Sequence, residues 1–459
     1  MMKRSIFYFT ALLSLLGCSA EFLEERPNSN IIVPASPDDF QRLLDNFTAV
    51  GYTSALPHLS ADEYFITSES DWLSSRSATE RNAYVWERDV FGGEVAREDW
   101  NAPYRTVFYA NSIIDGVQKQ TGGLIQGGQY AEVYGQAHFH RARANYDLLK
   151  NFSVPFDSLT QSSDLGIPLR RDPSVDALMP RASVQECYAS VFADLQQALA
   201  HLKSYGPLPE RNRPTRLAVF AQLSRIYLYR GEFHPAERYA DSVLNRYDRL
   251  IDYNSVSTET NTPFSLTNDE LILYGATNSY NNASQLNQGG TVFVDTSLMA
   301  LYDTGDLRRS VFFREVLPGR HIVKRGYNGS GLSPFNGLAV DEVLLIKAEC
   351  LVRRGDLHGA EVLYNRLRKH RYSLGTYAST TFLEAPSALE LVLLERRKEL
   401  VWRGIRWDDI KRLNGRGAGI VLRRTLGRKV HTLEPTSGRY VFNIPQDEIN
   451  RSGIAQNER

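Results

Sequence analysis

The chain has 459 residues, with 53 Lys+Arg against 53 Asp+Glu, 42% hydrophobic and 23% charged residues, and 3 Cys. A balanced charge argues against a broad nucleic-acid surface, a near-globular apolar content argues against bulk disorder, and three Cys cannot build a disulfide framework. Aromatic usage is skewed to 24 Tyr and 21 Phe against 5 Trp.

The N-terminus reads as an export signal. Lys3 and Arg4 precede an apolar run from Ile6 to Leu16. That run is too short to span a hydrocarbon core, which takes about 20 helical residues. It ends in Leu15-Leu16-Gly17-Cys18, which looks like a bacterial lipobox. Residues 1–17 are therefore expected to be a lipoprotein signal peptide, with Cys18 lipidated and residues 18–459 forming the mature body. Losing Lys3 and Arg4 leaves 51 basic against 53 acidic residues, a net charge of −2. Multiple acyl chains on Cys18 tether such a body stably, whereas one alone holds weakly.

The mature chain predicts a mainly α fold. A helix is expected from Pro37 to Asn46, with Ser36 as N-cap, Pro37 in the first position and Asp39 three residues after the cap. Tyr52 to Gly93 reads as polar, aromatic and irregular. Helical spacing returns over Trp100–Gln120 and Glu132–Lys150. Ser183-Val184-Gln185-Glu186 is a capping box that opens a helix to about Leu202. Cys187 and Cys350 fall in helical patterns and are expected to be buried free thiols.

A repeat gives the strongest internal signal. Arg230-Gly231-Glu232-Phe233-His234-Pro235-Ala236-Glu237 returns 124 residues later as Arg354-Gly355-Asp356-Leu357-His358-Gly359-Ala360-Glu361. Apolar helical patterns flank both copies, so each is a helix–Gly turn–helix hairpin resembling a tetratricopeptide unit. Hairpins are expected near 132–202, 214–247 and 341–370. Long stretches from Ile251 to Phe293 and from Arg314 to Ala339, rich in Asn, Ser, Gly, Thr and Tyr, read as irregular loops, where ligand contacts concentrate. Asp303-Thr304-Gly305-Asp306 reads as a turn and N-cap before Leu307. Leu391 to Leu413 reads as one charged helix, with Glu399–Arg403 and Asp408–Arg412 paired along its surface.

No nucleophile elbow, zinc-protease motif, phosphate loop or dinucleotide fingerprint appears. His138 and His140 fall on different sides of their helix and do not form a metal clamp. A tethered body with aromatic loops and no reaction motif fits capture of a ligand. Sugar rings stack on aromatic faces while Asn, Asp and Arg bond hydroxyls. The candidates are Trp72, with Tyr64 and Asp71 nearby, and Asn278 and Tyr280 in the long loop.

Ordered landmarks along the whole chain resemble the SusD/RagB family of outer-membrane nutrient-binding lipoproteins of Bacteroidetes. They are Cys18, Phe22-Leu23-Glu24-Glu25 and Pro27; Leu43 to Asn46; Tyr84-Val85-Trp86-Glu87; Asp99-Trp100-Asn101; Tyr109-Ala110-Asn111; Leu165 to Leu169; Arg181 to Val184; Glu395 to Leu400; Gly404; Arg406 to Asp409; and Ile444-Pro445. The resemblance implies a helical scaffold with four tetratricopeptide-like helix pairs and an irregular ligand face. It implies a cell-surface protein seated over a SusC-like TonB-dependent transporter, capturing a glycan or oligosaccharide without catalysis, cofactor or nucleic acid. A peptide-capturing RagB-like member, a periplasmic tetratricopeptide adaptor and a lipid-anchored hydrolase are the rival readings. The last segment, Arg451 to Arg459, is shorter and more charged than the family tail.

Overall fold

Capping chemistry sets where the helices begin. The computed structural model describes residues 34–95, 98–174, 176–281 and 290–459. The signal peptide 1–17, Cys18 and the Phe22 to Pro27 landmarks lie outside the described residues. Helix α1 (Pro37–Asp45) starts on Ser36, whose hydroxyl accepts from the Asp39 N–H while the Asp39 carboxylate accepts from the Ser36 N–H. Short α2 (Leu56–Ser60), α3 (Glu69–Leu73) and α4 (Ala78–Tyr84) follow. Long α5 (Glu98–Thr121) and α6 (Gly128–Phe152) pack against each other, and α6 packs in turn on α7 (Val184–His201). The expected box at Ser183 and Glu186 opens α7.

Both repeat hairpins form. In the first, α8 (Arg216–Arg230) turns into α9 (Phe233–Leu244) through Gly231 at φ +74°, a left-handed backbone that only glycine adopts at no cost. In the second, α10 (Val340–Arg353) turns into α11 (Leu357–Lys369) through Gly355 at φ +89°. Ala236 and Ala360 are fully buried at the crossings, where a small side chain lets the helices approach. Helix α9 packs on α10, so the hairpins stack side by side. The fold is mainly α, as expected.

Three segments differ from their expected irregularity. Much of Tyr52 to Gly93 is core, with Leu56, Leu59, Tyr64, Tyr84 and Trp86 all buried, while α3 between them is not. Beneath them lies Arg424, whose guanidinium stands 4.8, 3.8 and 5.2 Å from the rings of Tyr64, Tyr84 and Trp86 and donates to the Ala61 carbonyl. The described residues of 251–293, which do not include 282–289, and the stretch 314–339 are braced by two-stranded pairs. Strand β1 (Tyr52–Thr53) runs parallel to β6 (Ala276–Thr277), and β2 (Tyr64–Ile66) runs antiparallel to β7 (Val292–Val294). Strand β5 (Leu271–Leu273) pairs with β10 (Leu338–Ala339), and β8 (Phe313–Leu317) with β9 (Arg320–Val323). Pieces of two to five residues are too short to show a period. Strands β3 (Leu165–Pro168) and β4 (Arg181–Ser183) pair beside α7. A hairpin of β11 (Leu422–Leu426) and β12 (Lys429–Leu433) carries Arg424.

The charged segment from Leu391 to Leu413 is two helices, α12 (Ala385–Glu399) and α13 (Arg406–Asn414). The break falls where Trp402 and Gly404 take φ +63° and +67°. It parts Glu399 from Arg403, which do not pair. Glu399 instead accepts from Arg371 and Arg308, each at 2.7 Å, and Arg403 grips Asp341 with both guanidinium nitrogens at 3.0 and 2.6 Å. Asp408 goes to Lys150 at 2.7 Å, and Arg412 to Glu349 and Asp409. Glu395, Arg396, Lys398 and Glu399 are buried while Leu394 is exposed, so this helix turns its charged face inward. Cys187 and Cys350 are buried and free. Asp303 and Asp306 form the expected turn, accepting from the Gly305 and Arg308 N–H groups.

Candidate ligand-binding site

The walls of the site are built by helix caps. Ser68 opens α3 by accepting from the Asp71 N–H at 3.1 Å, and the Asp71 carboxylate takes the Ser68 hydroxyl at 2.7 Å. One residue on, half-buried Trp72 donates its indole N–H to the Arg81 carbonyl at 3.0 Å, locking α3 to α4. Ser77 opens α4. There Glu94 returns from beyond the helix and accepts from the N–H groups of Ala78 and Thr79 at 2.6 and 3.1 Å and from the Ser77 and Thr79 hydroxyls. Burial pushes the Glu94 carboxyl up, but these bonds outweigh it and hold it below the usual carboxylate range.

The opposite wall is the segment after β6. Tyr280 donates its hydroxyl to Asp99, the first-turn carboxylate of α5. Asp99 is fully buried and also accepts from the Ser54 hydroxyl and the Ala55 and Leu56 N–H groups, at 2.8, 2.6 and 3.2 Å. Burial raises the Asp99 carboxyl despite these donors, and burial beside Asp99 raises the Tyr280 hydroxyl well above its ordinary range. Between the walls lies an open cleft of about 430 Å³, lined by Arg76, Ser77, Glu80, Glu94, Val95, Ser279, Tyr280 and Asn281.

The candidates therefore separate. Tyr280 lines the cleft. Trp72 and Asp71 stand on α3, which leads into its Arg76–Ser77 edge. Asn278 lies behind it, 8% exposed, its N–H bonded to the Thr53 carbonyl. Tyr64 is 3% exposed in the core, its hydroxyl on the Leu59 carbonyl at 2.7 Å and its ring against Arg424, so it offers no stacking face to solvent. The sequence reading missed Arg76, Ser77, Glu94 and Asn281. Ser77-Ala78-Thr79-Glu80 has the spacing of a capping box and marks this helix start. Nothing local marks Glu94, which reaches back across 15 residues.

A second polar constellation is deeper. Carboxylate oxygens of Glu270, Asp341 and Glu399 lie within 4.8 Å of one another, all buried. Each already holds a guanidinium: Arg371 on Glu270 and Glu399, Arg308 on Glu399, and Arg403 on Asp341. The trio is a charge-matched joint between α10, α12 and the loops around them. His138 contacts Asp194 at 2.7 Å.

Comparison with known proteins agrees with this architecture. Residues 21–228 match a family model described as SusD-like, starch-binding associating with outer membrane, and residues 341–458 match the SusD family model. A curated relative, SusD-like protein P2 of Formosa agariphila, is 27% identical, over 90% of this chain and 91% of its own. A crystal structure of a SusD superfamily protein from Bacteroides thetaiotaomicron superposes with a TM-score of 0.72 at 22% identity, covering 92% of this chain and 100% of that one. A laminarin-binding SusD-like protein superposes with a TM-score of 0.63 at 17% identity, over 91% and 97%. Both structures share the fold. Among the described residues no helix is long and apolar enough to cross a membrane.

Proposed function

Because the chain belongs to the SusD family, we propose that it is a cell-surface lipoprotein that captures a glycan or oligosaccharide and passes it to a SusC-like TonB-dependent transporter. The mature body from Cys18 onward acts as one binding unit, held to the outer membrane by its acylated Cys18. It binds without turnover. The laminarin-binding relative supports a glycan over a peptide. The observation that carries the reading is Tyr280, set by buried Asp99 on the wall of a cleft whose other wall presents Arg76, Ser77 and Glu94. A ring for stacking and a rim of hydrogen-bonding groups suit a sugar. Trp72 and Asp71 extend that surface along α3.

Calorimetry against a panel of neutral and acidic oligosaccharides and oligopeptides tests this. Tyr280→Ala and Trp72→Ala are each expected to weaken glycan binding by about 1–3 kcal/mol, the scale of aromatic stacking on nucleic-acid bases. Unchanged affinity in both would remove the cleft as the site. Tight binding of peptides alone would replace the glycan reading. Cys18→Ala is expected to shift the protein from the membrane to the soluble fraction.

A further inference from the structure

A larger cleft lies elsewhere, between the loop leaving α6 and the C-terminal end of α13. Its volume is about 610 Å³, and its walls include Phe156, Asp157, Asp164, Tyr229, Lys411 and Arg416. Three features point to a ligand. Tyr229 is 8% exposed, yet its buried hydroxyl has no hydrogen-bond partner among the described residues. Such a group costs about 1–3 kcal/mol unless something bonds it. Lys411 is 3% exposed and donates to the Lys150 carbonyl at 2.5 Å, with up to three donors to place. Arg416 makes no ion pair among the described residues. It reaches the carbonyls of Arg412 and Arg230, at 3.3 and 3.4 Å, and lies 5.2 Å from the Phe233 ring centre.

Of the two cations, Arg416 has no carboxylate at ion-pair distance among the described residues, while Lys411 shares the field of Asp408 with Lys150. Arg412 is bidentate on Glu349, Arg230 is on Glu232 and stacked 3.8 Å from the Phe156 ring centre, and Asp408, the carboxylate acting most on Lys411, gives one oxygen to Lys150 while its other, buried oxygen has no hydrogen-bond partner among the described residues. Desolvation pulls the Lys411 ammonium down to about 8, and desolvation with Arg353 and Arg412 nearby lowers the Arg416 guanidinium. The remaining carboxylates, Asp157 and Asp164, sit toward the solvent and are occupied by the Leu159 N–H and the Thr160 hydroxyl. The cleft thus sets buried Lys411 and exposed Arg416 beside exposed Asp157 and half-buried Asp164.

We propose that this cleft binds an acidic saccharide, with its oxyanion, a carboxylate or a sulfate ester, on Lys411, Arg416 and the Tyr229 hydroxyl, and its neutral hydroxyls toward Asp157 and Asp164. The site is separate from the Tyr280 cleft and does not depend on it.

Titration calorimetry with glucuronate, glucose 6-sulfate and glucose tests it, on the wild type and on Tyr229→Phe, Arg416→Gln and Tyr280→Ala. Glucuronate or the sulfate is expected to bind where glucose does not, and whichever binds names the oxyanion. Tyr229→Phe and Arg416→Gln are each expected to weaken that binding about 10-fold, the scale of one hydrogen bond to a charged group. Tyr280→Ala is expected to leave it intact, so failure here is distinct from failure at the other cleft. Tyr229→Phe removes an unbonded hydroxyl and is expected to keep the thermal midpoint. Glucose binding as tightly as glucuronate, both variants binding as wild type, or neither acid binding would each overturn the proposal.

Discussion

The two repeat hairpins share their turns and differ in what they bury. At the same repeat offset, Leu217, Ala218 and Arg225 of α8 stand where α10 has Asp341, Glu342 and Glu349. Leu217 and Ala218 are fully buried and Arg225 is half-buried, and the three acids are 0–2% exposed. In α8 the interior is mostly apolar. In α10 each acid takes an arginine from another element: Asp341 from the link between α12 and α13, Glu342 from Arg225 of α8 and Glu349 from α13. The turn code sets the hairpin. The buried charges set which neighbours the second hairpin accepts, since a guanidinium placed one turn away leaves both partners unpaired.

The contrast can be broken first at its charged half. Glu349→Ala leaves Arg412 with Asp409 alone and Arg353 without a carboxylate, and is expected to cost about 3–5 kcal/mol in urea unfolding. A cost below about 1 kcal/mol would mean that the charges are incidental to this packing. Replacing Glu349 and Arg412 together by Leu is expected to recover most of the loss. Acid is the second lever. Burial opposes ionisation of Asp306, yet Arg308 and Lys398 hold its carboxyl at about 2 against an ordinary 3.8. A carboxyl depressed on folding stabilises above its unfolded pKa and loses that contribution as pH falls toward the folded one. Stability measured from pH 5 to pH 2 is therefore expected to drop by about 2 kcal/mol from this group. Asp306→Asn is expected to be less stable at pH 7 and to flatten that drop.

Packing at the shared half is expected to respond alike in both hairpins. Ala236→Leu and Ala360→Leu each overpack a closed crossing and are expected to cost about 1–3 kcal/mol. A large inequality would show that the repeat is matched in sequence but not in packing. Gly355→Ala, with open space around its Cβ, is expected to cost about 1 kcal/mol from the left-handed backbone alone. At Gly231 a Cβ meets the far end of Arg416, so Gly231→Ala is expected to cost about the same 1 kcal/mol from its left-handed backbone and, by displacing Arg416, to weaken binding of an acidic sugar at the α6–α13 cleft.

The hairpins and the capped helices α1 and α7 were legible because their chemistry is local: glycine at the turn, Ser and an acid three residues apart at the start. The charge network was not. A helical wheel pairs Glu399 with Arg403, and two left-handed residues at 402 and 404 send them to partners far along the chain. Of the candidate site, Tyr280 stands in the cleft, and no spacing announces that Asp99, 181 residues earlier, holds it there. Tyr64 looked like a surface aromatic because its neighbours are polar, and the residue that covers it comes from a distant hairpin.

That covering residue sets an order of assembly. Arg424 lies 363 residues after the Ala61 carbonyl it bonds, and Asp62 and Glu63 take their partners from Arg397, Trp402 and Arg406. In a chain made N-terminus first at about 5–20 residues per second, the segment leading into α3 and α4 waits tens of seconds for its inner support. One wall of the Tyr280 cleft is among the first parts of the chain to emerge and among the last to become rigid, so a nascent chain gains that face only when it is almost fully delivered.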